Sequence, residues 1–64
     1  MVEALLRLPE VRKRVGLSRS SIYAYIKAGK FPRPIALGPR AVAFSETEIS
    51  RWIAERIVAS REAA

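Results

Sequence analysis

Residues 16–29 read GLSRSSIYAYIKAG, a short segment with a polar start and a glycine stop. Ser18 is a favourable N-cap, because its hydroxyl can accept a hydrogen bond from a backbone N–H that the first helical turn leaves unpaired. Ile22, Tyr25 and Ile26 recur on one side at helical spacing. Gly29 is placed to take the left-handed conformation that closes a helix, with Lys27 and Lys30 near the negative end of the dipole. At about 100° per residue, the opposite face holds Ser20, Tyr23, Ala24 and Lys27, with Arg19 at the edge of the first turn.

Upstream, Leu5-Leu6-Arg7-Leu8 reads as a short extended lead-in. Pro9-Glu10 marks a helix start, since proline suits the first helical position and an early acid suits the dipole. Val11 and Val15 share one face, Arg12, Lys13 and Arg14 occupy the others, and Gly16 ends the helix. Only Gly16-Leu17-Ser18 separates the two helices. Two short helices across a tight glycine-containing turn read as a helix-turn-helix.

Downstream, Phe31-Pro32-Arg33-Pro34 cannot continue a helix, because proline restricts itself and the residue before it. Ile35-Ala36-Leu37 and Ala41-Val42-Ala43-Phe44 then alternate large and small residues, with Gly38-Pro39-Arg40 between them as turn chemistry. This predicts a β-hairpin with Ile35, Leu37, Val42 and Phe44 facing the core and Arg40 at its tip. Ser45-Glu46-Thr47-Glu48 is a capping box for a last helix. Its apolar stripe is Ile49, Trp52, Ile53 and Ile57, with Trp52 expected to contribute most to the core. The tail from Ser60 is expected to fray. The fold class that follows is mostly α with a small β-hairpin. It is a single winged helix-turn-helix domain over residues 1–64, three helices plus a two-stranded wing.

The chain has 64 residues and a formal charge of +6. Residues 1–44 carry nine basic and two acidic side chains, whereas residues 45–64 carry three and four. A basic front and a near-neutral back suggest a polyanion-binding side and a scaffold side. With no cysteine or histidine, neither a disulfide nor a thiolate or imidazole metal site is available. All six acids are glutamates, scattered rather than paired. No nucleophile–base or acid–base constellation results, so enzymatic activity, a cofactor and a bound metal are not expected. No small-molecule ligand is expected either. No apolar run approaches the ~20 residues of a membrane span, and nothing reads as a signal peptide. A cytoplasmic, nucleoid-associated protein is the expectation.

The outer face of the second predicted helix points to the partner. A solvated helix of this length usually mixes in acids; this one has none. It has instead small residues that permit close approach, hydroxyls, and a cation at each end. That composition suits the major groove of double-stranded DNA, which admits one helix. The helix N-terminus at Ser18 and Arg19 is suited to a backbone phosphate. Arg12, Lys13 and Arg14 would flank the groove as phosphate clamps. Arg33 and Arg40, stiffened by adjacent prolines, would reach along the backbone or into a minor groove.

Taken together, Leu6-Arg7-Leu8-Pro9-Glu10-Val11, Gly16-Leu17-Ser18-Arg19-Ser20-Ser21-Ile22-Tyr23, Gly29-Lys30-Phe31-Pro32-Arg33-Pro34, Leu37-Gly38-Pro39-Arg40-Ala41-Val42 and Trp52-Ile53 resemble the AlpA family of prophage regulators. These are small winged-helix proteins within the wider excisionase and MerR-like group, and the likeness runs from about Leu5 to Val58. It implies sequence-specific DNA binding and control of phage or mobile-element genes. By that likeness Ser18, Arg19, Ser20, Tyr23 and Lys27 match the reading helix and Arg40 the wing. The family often has a basic residue where Ala24 stands, and tryptophan where Phe44 stands. The leading expectation is a transcriptional regulator that binds repeated sites by cooperative self-association, or binds with a partner protein. An excisionase-like architectural factor uses the same face, and a small adaptor docking an acidic partner is a third reading.

Overall fold

The computed structural model describes residues 4–63. Its elements are β1 (Leu5–Leu6), α1 (Leu8–Val15), α2 (Arg19–Lys27), β2 (Ile35–Gly38), β3 (Ala41–Ser45) and α3 (Glu46–Ala63). Three helices and a small antiparallel sheet make the fold mostly α, consistent with a winged helix-turn-helix. The expected lead-in is extended, and it does more than lead in. β1 pairs with β3, Leu5 opposite Ser45 and Leu6 opposite Phe44, giving a three-stranded sheet in the order β1-β3-β2.

Local signals govern the first two helices. The α1 helix begins at Leu8, with Pro9 in its first turn and Arg7 as the extended N-cap, whose carbonyl accepts from the N–H groups of Glu10 and Val11. Gly16 closes it at φ 72°, donating its N–H to the Arg12 carbonyl at 2.9 Å. Ser18 caps α2, its Oγ accepting from the Ser21 N–H at 3.2 Å. At the other end, the Gly29 N–H donates to the Ile26 carbonyl and the Lys30 N–H to the Tyr25 carbonyl, with Gly29 at φ 74°. These two bonds form a Schellman closure, which needs a residue tolerant of the left-handed region. Ser18→Ala is expected to cost about 1 kcal/mol of stability. For a domain of this size that lowers the melting temperature by roughly 4–8 °C, measurable by thermal circular dichroism.

The hairpin departs from the expectation. Phe44 is fully buried, but Ile35, Leu37 and Val42 are 40, 49 and 36% exposed. Register is the reason. Ile35 pairs with Ala43 and Ala36 with Val42, so the two alternating patterns are out of phase and their large residues lie on opposite faces. Between Ala36 and Gly38 the ladder slips by one residue, since Gly38 pairs with Ala41, and Leu37 is the extra residue of a β-bulge. Burial also stops partway along β3: Ala43, Phe44 and Ser45 are buried, whereas Val42 is not. The distal hairpin therefore stands away from the core as a wing.

The last strand runs into α3 without a linker. The Glu48 N–H donates to Ser45 Oγ at 3.2 Å, and the Glu46 N–H donates to the Ala4 carbonyl at 2.9 Å. Leu6, Val11, Ile22, Phe31, Phe44 and Ile49 form the core cluster. Two stripe assignments change. Trp52 is only half-buried and is not the largest core member; Phe44 is the largest fully enclosed side chain. Ile57 is 46% exposed, because α3 outruns the small core it packs on. Helical geometry continues from Ser60 through Ala63. Among the described residues, no helix is long and apolar enough to cross a membrane.

Candidate nucleic-acid interface

The two faces of α2 separate as its spacing predicts. Ile22 is fully buried, and Tyr25 and Ile26 are half-buried against the core cluster. Arg19, Ser20, Tyr23, Ala24 and Lys27 are exposed together on the other side. Because the inner face is clamped and both ends are closed by hydrogen bonds, the outer residues project from a rigid element. Ala24 contributes only a methyl group to this exposed face.

Two side chains of the first turn are already partnered. The Arg19 guanidinium carbon lies 5.5 Å from the Tyr23 ring centroid, a cation–π contact across one helical turn that limits the wandering of both. The spacing of four residues is the signal from which this pair was legible, although sequence reasoning did not identify it. Ser18 Oγ accepts from the Ser21 N–H and donates to Ser21 Oγ at 3.1 Å. Its hydroxyl therefore serves the cap, and Ser20 offers the exposed hydroxyl of this turn.

The basic residues of α1 are not equivalent. Arg12, Lys13 and Arg14 are all exposed. Arg14 Nε lies 3.3 Å from Glu10 and its Nη1 lies 3.1 Å from Glu46. One guanidinium thus holds the only two carboxylates that bracket residues 11–45, tying α1 to the start of α3. Glu46 is distant in sequence, so residue spacing along α1 carried no sign of it. Exposed pairs of this kind are worth up to about 1 kcal/mol each, so they bias Arg14 without immobilising it.

Arg33 stands exposed between Pro32 and Pro34, and Arg40 is exposed in the Pro39-Arg40 turn at the wing tip. The wing also presents Leu37, which sequence reasoning had placed in the core. The closing end of α2 is fastened to α3: Trp52 Nε1–H donates to the Lys30 carbonyl at 2.8 Å. Phe31 packs edge-on against Trp52 and Phe44, with ring centroids 4.8 and 6.0 Å apart. Among the described residues, no cluster of acids suited to a metal ion is present.

Residues 4–57 match the family model described as prophage CP4-57 regulatory protein (AlpA). Over 55 residues the chain is 47% identical to the uncharacterized protein ORF88 of Enterobacteria phage P4, covering 86% of this chain and 62% of that protein. It thus spans about three-fifths of the phage relative's length. Over 58 residues it is 33% identical to the DNA-binding transcriptional activator AlpA of Escherichia coli (strain K12), covering 81% of this chain and 83% of that protein. The likeness first visible in the capped second helix and the proline-flanked hairpin therefore extends across nearly all the described residues, and the chain belongs to the AlpA family of prophage regulatory proteins.

Proposed function

We propose that this chain is a non-enzymatic, sequence-specific regulator of prophage or mobile-element genes that binds double-stranded DNA. The second helix lies in the major groove, and the wing rests on the flanking backbone or minor groove. The observation that carries this reading is the outer face of α2, where five exposed residues include two cations and no acid. An acid-free, cationic outer face is complementary to an anionic partner. The name carried by the Escherichia coli relative supports the same partner.

Arg12, Lys13, Arg19, Lys27, Arg33 and Arg40 are exposed and outside the ion pairs among the described residues. With about five or six phosphates neutralised, log affinity falls with log salt at a slope of roughly −4 to −5. Arg40→Ala is expected to weaken binding across all sequences and to flatten that slope by about 1. Lys27→Ala is expected to do the same and to relax preference at about one or two base pairs. Fluorescence anisotropy over a salt series measures both. A single domain reads few base pairs, so cooperative binding to repeated sites accompanies this mechanism.

In vitro selection from random duplexes, followed by footprinting, is the decisive experiment. Enrichment of a common site with an ordered footprint supports the proposal; no binding even at low salt refutes it. The exposed apolar wing favours a second reading, an excisionase-like architectural factor that shapes DNA for a recombinase. An excision assay beside a candidate integrase separates the two.

A further inference from the structure

No acidic residue lies between Glu10 and Glu46, so the wing carries only positive charge, from Arg33 at its root and Arg40 in its turn. Next to that turn, where the ladder slips between Ala36 and Gly38, Leu37 is 49% exposed, the most exposed of the wing's large apolar side chains. An outward leucine beside an arginine is a poor match for solvent and for a phosphate-only contact. We propose that Leu37 is an apolar wedge that enters the minor groove beside the site held by α2 and kinks the duplex there. The proposal rests on the DNA-binding reading and adds to it the residue that enters the groove and the kink that residue makes.

Dimensions favour the tip over the whole wing. The minor groove of regular DNA is about 6 Å wide. A two-stranded ribbon has backbones about 4.8 Å apart before its side chains are added. The ribbon cannot lie in an undistorted groove, whereas one side chain at its tip can enter between base steps. Apolar side chains that enter this way unstack the step and bend DNA toward the major groove, the groove in which α2 is placed. Arg40, in the adjoining turn, is positioned for the phosphates that the opened groove exposes. Bulges commonly re-aim a side chain at functional surfaces, and the ladder slips at Leu37.

The test measures the end-to-end distance of a donor–acceptor-labelled duplex bearing the selected site, with a phased A-tract series for bend direction. Wild-type protein is expected to bend the duplex by several tens of degrees, within the roughly 20–90° range of side-chain wedges. Leu37→Ser is expected to remove at least half of the bend, whereas Leu37→Phe retains it. Ile35→Ser, at the root of the wing, leaves the bend unchanged. Leu37 and Ile35 are both exposed, so all three variants should fold, which circular dichroism checks. A straight duplex in the wild-type complex overturns the wedge and leaves the regulator reading standing. An unchanged bend with Leu37→Ser also overturns it, and points to a protein as the occupant of the wing's apolar surface. Failure of wild type to bind any duplex overturns both readings.

Discussion

Phe44→Ala is expected to remove about a third or more of the domain's stability. Phe44 is fully buried, opposite Leu6 across the β1–β3 pair and edge-on to Phe31 at 6.0 Å. Deleting a buried phenyl ring costs about 3–5 kcal/mol, through lost burial and the cavity left behind. A domain of this length has only about 3–10 kcal/mol in total. The ring also sits where the first strand, the wing root and the start of α3 converge, so few neighbours can relax into the space. A urea titration followed by circular dichroism measures the effect. Loss of less than about 1 kcal/mol would show that the sheet is peripheral to the fold. A larger ring such as tryptophan is not an easy replacement. An enclosed site must move its neighbours to admit the larger ring, at about 1–3 kcal/mol.

The second large effect needs no loss of stability. Ala24 is exposed at the middle of the outer face of α2, and glutamate is a good helix former, so Ala24→Glu should fold like wild type. Its carboxylate would nevertheless face a duplex that carries one charge per about 1.7 Å. Like-charge juxtaposition costs several kcal/mol, so the expected loss is at least about 100-fold in affinity for the selected site. Ala24→Arg should move the other way, tightening binding and steepening the salt slope by about 1. Anisotropy on matched duplexes reads both. Wild-type affinity in Ala24→Glu would remove the outer face of α2 from the interface and redirect attention to the wing.

What could be read in the residues divides along physical lines. The cap at Ser18 and the stops at Gly16 and Gly29 were legible because each involves partners within five residues. The buried side of α2 was legible because one period decides it. The wing's faces were not, because register is a property of two strands together. Ile35 against Ala43, rather than against Val42 or Phe44, reverses which residues reach the core. The same limit hid the pairing of β1 with β3 and the ion pair from Arg14 to Glu46, separated by 32 positions. Exposure at Ile57 escaped for a different reason: a correct stripe says which side of a helix is apolar, not where the body beneath it ends. The exposure of the outer face of α2 was therefore readable, because its geometry is local, and that of Leu37 was not, because its geometry depends on a second strand.

The hydrogen bond from Trp52 to the Lys30 carbonyl gives the molecule a built-in optical reporter. The chain has one tryptophan, so all indole emission comes from the point where the end of α2 is moored to α3. Emission wavelength and quenching there follow the hydration of that mooring. A titration with DNA can thus be read without labels, and a spectral change locates the disturbance at the C-terminal end of α2 rather than averaging it over the fold.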